Sequence, residues 1–244
     1  YPPKISKKQE RIYGVLTASG AQHILTDHQA EKAVRQCLAQ HQSDVEVQAH
    51  VLSPQFESEA FKDTPPATPA FLQYTSGSTG LPKGVEISHG NILANLASLV
   101  ELTRANQQDV FVNWLPLFHD LGLVNTILLP VFLGCHSVLM APTQFIRSPI
   151  TWLKLIDQYQ GTICGAPNFA YDLCVQKVDI AACANLKLNQ WRNAFNAAEP
   201  INRQTLDDFA NKFAPVGFNP AAFFPSYGMA EATVFICGQH FQPD

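Results

Sequence analysis

The sequence from residue 90 to residue 213 alternates between short apolar runs and longer segments with apolar residues at every third or fourth position. The short runs have the length of buried strands, and the longer segments have the periodicity of amphipathic helices. Strands that alternate with helices form mainly parallel sheets covered by helices, so the sequence predicts an α/β fold. Strands are expected at 110–114, 136–140, 161–165 and 191–195, and helices at 90–103, 121–132, 149–158, 168–178 and 200–213.

The region before residue 70 shows the same alternation. We expect helices at 7–18 and 28–41, strands at 23–26 and 45–51, and then a proline-rich connector at 63–69. The chain begins with Tyr1, and its only methionines are Met140 and Met229. We therefore expect residues 1–244 to form part of one large domain that is incomplete at both ends.

Charge and cysteine content exclude several classes of protein. A net charge of −4 without any long basic run argues against a nucleic-acid partner. The six cysteines show no C-x-x-C pair and no metal-ligand spacing, which favours reduced cysteines in a cytoplasmic protein over a disulfide framework. The most apolar stretch, residues 121–133, is too short to cross a bilayer, so we expect no stable membrane insertion.

A loop rich in glycine and hydroxyl side chains, from Thr75 to Gly84, follows the apolar run at 71–74. Glycine lets backbone N–H groups approach an anion, hydroxyls add donors, and Lys83 adds a positive charge. A strand, a glycine loop and a helix start together form a common phosphate-binding arrangement. The sequence therefore predicts a phosphate-binding loop between a strand and the helix at 90–103.

The spacing within this loop differs from that of a Walker A motif. Leu81 and Pro82 separate Gly80 from Lys83, whereas a Walker A lysine directly follows a glycine and precedes a hydroxyl residue. Two other interpretations remain open at this point. One is a flexible Ser/Gly linker, and the other is a P-loop phosphotransferase that produces ADP.

The loop and three later segments together resemble the adenylate-forming enzymes, which include acyl-CoA ligases, luciferases and the adenylation domains of peptide synthetases. The later segments are 114–122 (WLPLFHDLG), 196–200 (NAAEP) and 226–233 (SYGMAEAT). The residues of these segments, together with those of 167–173 (PNFAYDL), are most similar to the motifs of the fatty acyl-AMP ligases. The resemblance implies the large N-terminal domain of such an enzyme, which makes an acyl-adenylate and pyrophosphate from a fatty acid and MgATP.

The resemblance also implies which residues bind ATP. The loop would hold the β- and γ-phosphates, Tyr227 would face adenine, and Glu231 would bind Mg²⁺. Lys83 and Glu231 are two of the three predicted catalytic residues. Glu199 is equally consistent with a surface carboxylate or with a carboxylate at a helix start. The residues expected to bind ATP or AMP are Thr75, Ser76, Gly77, Ser78, Thr79, Gly80, Lys83, Asn196, Ala197, Ala198, Glu199, Ser226, Tyr227, Gly228, Met229 and Ala230.

His119 is the third predicted catalytic residue, because the matching position in the family lies beside the reacting carboxylate. We expect it to orient that carboxylate, since a fatty carboxylate needs no base; a capping or core histidine is the alternative. Gly165 and Ala166 are small and would leave room for an alkyl tunnel, although the nearby aromatic residues are equally consistent with a plain core. The expected acyl-binding residues are Phe118, His119, Leu121, Gly165, Ala166, Asn168 and Phe169.

Some of the family's catalytic parts have no match here: the ribose-binding aspartate, the hinge, and the small domain with its catalytic lysine. We therefore expect residues 1–244 alone to bind ATP weakly and to adenylate slowly. The resemblance implies transfer of the acyl group to an acyl carrier protein or a polyketide synthase carrier domain. The alternatives are a long-chain acyl-CoA ligase and, for this piece alone, a nucleotide- or acyl-adenylate-binding module without turnover.

Overall fold

A computed structural model describes residues 9–49, 63–75 and 83–241. They divide into two compact units, the first ending at Gly90 and the second beginning at Asn91. The first unit contains a parallel pair of strands, β1 and β2, with two helices, and an antiparallel pair, β3 and β4. Its elements are α1 (Gln9–Ser19), β1 (His23–Thr26), α2 (His28–Gln40), β2 (Glu46–Ala49), β3 (Pro69–Thr75) and β4 (Lys83–Ser88).

Strands β3 and β4 correct one prediction about the glycine loop. The loop does not lead from a strand into a helix, because β4 comes between them and pairs with β3, with Thr75 opposite Lys83. Val85 and Ile87 alternate with polar residues, as in a half-buried strand, and Ile87 is buried. The helix begins only at His89. Residues 76–82, the centre of the loop, lie outside the described residues.

The second unit is built on a six-stranded sheet in the order β10-β9-β8-β7-β5-β6. All neighbouring strands are parallel except β10, which pairs antiparallel with β9. The predicted α/β class with a mainly parallel, helix-covered sheet is therefore confirmed. The elements are α3 (His89–Thr103), β5 (Val110–Asn113), α4 (Asp120–Leu123), α5 (Leu129–Leu133), β6 (His136–Leu139), α6 (Pro142–Arg147), α7 (Ile150–Tyr159), β7 (Ile163–Ala166), α8 (Asn168–Lys177), β8 (Asn193–Asn196), α9 (Arg203–Phe213), β9 (Phe223–Tyr227) and β10 (Cys237–Gly238).

An aromatic cluster from α7, α8, α9 and the residues before β8 packs against one face of this sheet. Its members are fully or almost fully buried, and their polar atoms donate to strand carbonyls, which satisfies both groups away from water. These bonds tie the cluster to the backbones of β5, β7 and β8. The donors are Trp152 Nε1 to Val112 O (3.0 Å), Tyr171 Oη to Phe195 O (2.8 Å) and Trp191 Nε1 to Cys164 O (2.9 Å).

The helix predicted at 121–132 is interrupted by a π-helical segment, Val124–Leu128, between α4 and α5. Pro130 accounts for this, because it has no N–H and its ring excludes a hydrogen bond to the carbonyl of Thr126, four residues earlier. The wider turn accommodates the ring, and the Ser137 hydroxyl donates to the freed Thr126 carbonyl at 2.8 Å.

The six cysteines are all free, and Cys37, Cys164, Cys174 and Cys183 are buried. Burial raises the pKa of the Cys164 and Cys174 thiols, so both remain protonated core residues. Among the described residues, no helix combines the length and the apolar character needed to span a membrane.

Candidate active site

A cavity of about 220 Å³ lies in the second unit, along one face of β7, β8 and β9. Its other wall comes from α3 and from the helical region 120–129. Its mouth lies at the carboxyl ends of the strands, where open α/β sheets bind ligands. The lining residues are Leu99, Thr103, His119, Asp120, Leu121, Asn125, Leu129, Ile163, Asn193, Phe195, Ala197, Ala198, Phe224, Ser226, Tyr227, Gly228, Met229, Val234 and Phe235.

Three of the predicted segments meet at this cavity. They are 119–121 after β5, 197–198 after β8, and 226–229 at the end of β9. The sheet brings them together because the three strands run parallel and end at the same edge. The predicted residues among the lining are His119, Leu121, Ala197, Ala198, Ser226, Tyr227, Gly228 and Met229.

Two of the predicted acyl-binding residues, Gly165 and Ala166, are buried in β7 and do not line the cavity. A Cβ atom added at Gly165 would lie only 2.3 Å from Cγ of Phe195. The Phe195 ring fills the space beside Gly165, and the assignment of Gly165 and Ala166 to the acyl chain stays a prediction. Phe118, the residue before His119, is exposed and also outside the lining.

Asn168, Phe169 and Glu199 line a second depression, on the surface, rather than the cavity. The Phe169 N–H, in the first turn of α8, donates to Glu199 Oε1 at 2.5 Å. Glu199 thus serves as the helix-start carboxylate, which was the alternative interpretation of this residue. Asn196 and Ala230 are buried beside the cavity without lining it.

The predicted phosphate-binding residues belong to the first unit. Thr75 ends β3 and Lys83 begins β4. Ser76, Gly77, Ser78, Thr79 and Gly80 lie outside the described residues. Their assignment to ATP phosphates therefore stays a prediction.

The His119 imidazole is held by its neighbour Asp120, with Nδ1 2.6 Å from Oδ1. A ring nitrogen and a carboxylate oxygen approach this closely only with a proton between them, so Nδ1 carries the proton. The backbone N–H of Leu121 lies 2.6 Å from the same Asp120 oxygen and 3.2 Å from His119 Nδ1. Since a protonated Nδ1 cannot accept, the shorter bond to Asp120 is the one that this N–H makes. His119 is also the N-cap residue of α4, the position that the alternative interpretation gave it. Nδ1 is thus engaged by Asp120, while the His119 side chain lines the cavity and is about half exposed.

Asp120 also sets the charge of His119. The hydrogen bond that His119 donates to Asp120 raises the pKa of His119 above its usual 6.5, and the negative charge of Asp120 adds to this, while partial burial opposes it. Asp120 thus shifts the equilibrium toward the imidazolium form, in which both ring nitrogens carry protons. This arrangement suits orientation of an anion rather than proton abstraction.

The segment that follows β9 forms a closed loop whose ends are joined by the Ile236 N–H bond to Tyr227 O (3.0 Å). A Cβ at Gly228 would lie 1.6 Å from Val234 O, so only glycine fits there. Thr233 has φ 71° and ψ −60°, and the Val234 N–H donates to Ala232 O across it, which is a strained γ-turn. Ala198 also has a positive φ, 72°. Such backbone strain clusters at ligand sites.

Glu231 lies at the tip of this loop, in the 3₁₀ turn Ala230–Ala232, and its side chain is exposed. Among the described residues, no group of three or more metal-ligating side chains occurs. Mg²⁺ does not need one, because it keeps several waters and binds through one or two carboxylates plus substrate phosphates. Glu231 follows Met229, a lining residue, by two positions, and a single accessible carboxylate there fits Mg²⁺ bound with a nucleotide.

Most of the deep lining residues were missed by the sequence interpretation. They come from α3, from the helix after His119, and from the inner faces of three strands. A partial signal was present, because Leu121, Asn125 and Leu129 recur every fourth position, which places a polar residue on an apolar helical face. Nothing in the sequence indicated that this face and β8 enclose a cavity.

A mainly parallel sheet covered by helices, with a cavity at the carboxyl ends of its strands, is the architecture in which open α/β proteins bind ligands. The chain belongs to the family of AMP-binding enzymes, which it matches over residues 5–244.

Two named relatives and one solved structure place the chain more closely. The chain is 46% identical over 176 residues to the medium-chain fatty acid acyl-carrier-protein ligase TtuA of Teredinibacter turnerae, covering 71% of the chain and 27% of TtuA. It is 34% identical over 240 residues to JamA of Moorena producens, a ligase with the same activity name, covering 96% of the chain and 40% of JamA. The fatty acyl-adenylate ligase of L. pneumophila, solved with acyl adenylate and pyrophosphate, superposes with a TM-score of 0.85 at 35% identity, covering 98% of this chain and 42% of that one. The chain thus spans less than half the length of each of these proteins.

Proposed function

We propose that the protein containing this chain activates a fatty acid with MgATP, forming an acyl-adenylate and pyrophosphate. One observation carries the proposal: the cavity combines His119 and two nucleotide-motif segments at its mouth with a wall that is mostly apolar. The names of TtuA and JamA, and the acyl adenylate bound in the L. pneumophila neighbour, support it. In this proposal residues 1–244 are part of the large domain, and a small lysine-bearing domain completes the site.

In the proposed reaction, a carboxylate oxygen of the fatty acid bonds to the α-phosphorus of ATP, and the bond from that phosphorus to the pyrophosphate oxygen breaks. His119 donates its Nε2–H to the carboxylate and holds it for attack, while Asp120 keeps the imidazole charged. No proton leaves the substrate, so no base is required. Leu121 and Phe195 contact the alkyl chain next to the carboxylate.

The nucleotide is proposed to bind at the mouth. Tyr227 is 60% exposed and offers a flat face for adenine, and the backbone at 197–198 and 228–229 lines the purine. Glu231 would hold Mg²⁺, which neutralises phosphate charge. Lys83 and residues 75–80 are proposed, on the resemblance of their motif, to bind the β- and γ-phosphates and the leaving pyrophosphate.

The acceptor of the acyl group is proposed to be the phosphopantetheine of an acyl carrier protein or a polyketide synthase carrier domain, in cytoplasmic lipid or polyketide synthesis. The other candidate is a long-chain acyl-CoA ligase. Incubating the full-length protein with fatty acid, ATP and either carrier protein or CoA, and measuring both acyl thioesters, distinguishes them. Acyl-carrier formation without acyl-CoA is the expected result.

Fatty-acid-dependent exchange of labelled pyrophosphate into ATP tests the activity itself. We expect AMP and pyrophosphate as products, and a loss of at least about tenfold for Lys83→Ala and for Glu231→Ala in the full-length protein. Lys177→Ala and Glu101→Ala, at exposed positions outside the cavity, serve as matched controls. Production of ADP, or full activity of both site variants, would contradict the proposal. Residues 1–244 alone are expected to exchange little.

A further inference from the structure

The cavity extends far from His119 along strand β8. Asn193, Phe195 and Ala197 alternate along this strand, so their side chains share one face, and all three line the cavity. Ala197 is at the mouth, and Asn193 is at the amino end of the strand, about 13 Å away at the usual rise of a strand. The cavity therefore has a reacting end and a distant end.

The wall between these ends is apolar except for Asn125, whose Nδ2 donates to Leu121 O at 3.4 Å. It is formed by strand residues on one side and by residues of α3 and the region 121–129 on the other, and these side chains are buried. An alkyl chain that enters from the mouth is stabilised along this wall, because its apolar surface is removed from water. The apolar residues of the wall are Leu99, Leu121, Leu129, Ile163, Phe195 and Phe224.

The distant end is polar. Asn193 is fully buried, and neither Oδ1 nor Nδ2 of its side chain has a hydrogen-bond partner within the described part of the chain. Thr103 of α3 is held at the same end, because Arg192, the neighbour of Asn193, donates to the Thr103 carbonyl at 2.9 Å. The Thr103 hydroxyl donates to Leu99 O at 2.6 Å and keeps lone pairs for a further donor.

The unpaired side-chain amide of Asn193 indicates a ligand with a polar group at the distant end of the cavity. A buried polar group without a partner destabilises the fold, and a plain alkyl chain would leave the Asn193 amide unpaired. A hydroxyl group both donates and accepts, so it can pair with Oδ1 and Nδ2 of this amide, or donate to Thr103. The Asn193 side chain is 0% exposed, and rotating its amide toward a ligand breaks no hydrogen bond recorded for it.

We propose that the preferred substrate is a fatty acid with a hydroxyl group at or near the end opposite its carboxylate, recognised by Asn193 together with Thr103. This rests on the proposed acyl-adenylate activity and specifies the class of acid that it uses.

The test compares octanoate, decanoate and dodecanoate, each against its ω-hydroxy counterpart, as substrates of the full-length protein. The measured quantity is kcat/KM for pyrophosphate release, expressed as the ratio of hydroxy acid to plain acid. We expect a ratio of about ten at the chain length whose end reaches Asn193. Asn193→Leu, which keeps the branched shape without the amide, is expected to bring that ratio to one or below.

Thr126→Val is the matched control. The Thr126 hydroxyl is also buried and unpaired among the described residues, but it lies outside the cavity lining, so this variant is expected to keep the ratio. A ratio near one at every chain length in the unsubstituted protein overturns the inference without any variant, and so does a ratio that Asn193→Leu leaves unchanged. Turnover of plain acids with such a result leaves the proposed function intact. If neither plain nor ω-hydroxy fatty acids are turned over, both this inference and the proposed function are overturned.

Discussion

The side-chain amide of Asn95 in α3 pairs with both backbone polar groups of Phe235. Nδ2 of Asn95 donates to Phe235 O at 2.9 Å, and Oδ1 accepts from the Phe235 N–H at 3.2 Å. Nδ2 also donates to Ala232 O at 3.2 Å. One side chain thus holds both sides of the strained turn at Thr233, immediately after Glu231.

Replacing Asn95 by alanine leaves three backbone groups without these partners, and we expect a loss of about 1–3 kcal/mol in the free energy of unfolding. Because the loop carries Glu231, we also expect KM for MgATP to rise more than KM for the fatty acid. Urea unfolding and steady-state kinetics measure the two effects. Ser98→Ala, on the exposed side of the same helix, is the control. Equal changes in both KM values would contradict a role in positioning the loop.

The pH dependence of activity depends on the His119–Asp120 pair. Below the raised pKa of His119 the imidazolium donates Nε2–H to the carboxylate; above it, Nδ1 keeps the proton for Asp120 and Nε2 turns a lone pair toward the substrate. We therefore expect kcat/KM for the fatty acid to fall as pH rises through that pKa.

Asp120→Asn removes the main cause that raises the pKa of His119, so the fall is expected to move to lower pH, toward 6.5. His119→Gln, which donates without titrating, should flatten the profile. Identical pH profiles for the Asp120→Asn variant and the unsubstituted protein would rule out this coupling.

Position 228 requires glycine because the backbone carbonyl of Val234 lies very close to it. Because a Cβ there would overlap Val234 O, Gly228→Ala is expected to displace the loop, to abolish most acyl-adenylate formation and to lower the free energy of unfolding by more than about 2 kcal/mol. The control is Gly134→Ala, where φ is 69° but no atom lies within 4 Å of the added Cβ, so only about 1–2 kcal/mol is expected and activity should remain. Similar activity in the two variants would contradict the prediction.

The carboxylate of Asp109 is buried and paired with Arg192, and it also accepts from the Thr162 hydroxyl at 2.7 Å. Arg192→Met leaves this charge buried without its partner, so we expect a loss of about 3–5 kcal/mol in chemical denaturation. Adding Asp109→Asn should recover part of it. Arg203→Met breaks an exposed pair with Asp207 and should lose about 1 kcal/mol or less. Equal losses for the two arginine variants would show that burial of Asp109 is not decisive.

The local sequence predicted helices and strands correctly wherever the spacing of apolar residues was regular. Helix α8 and the strand at His23–Thr26 begin where the residue pattern predicts. Strand β9 was expected before the 226–231 segment but without bounds, because Pro220 and Pro225 break the apolar run around Phe223 and Phe224. The π segment was missed, since Pro130 signals a disturbed helix but not the form it takes.

The sequence by itself determined the α/β class, the family and the segments that reach the cavity mouth, because residue period and motif wording are local properties of the chain. Only the tertiary structure decided that Glu199 accepts a hydrogen bond from the first turn of α8, that Phe195 fills the space beside Gly165, and that Asn193 lies buried at the end of a cavity. The physical reason is that these facts depend on which side chains meet across β7, β8 and the helices above them. Such contacts join residues far apart in the chain, and no local pattern records them.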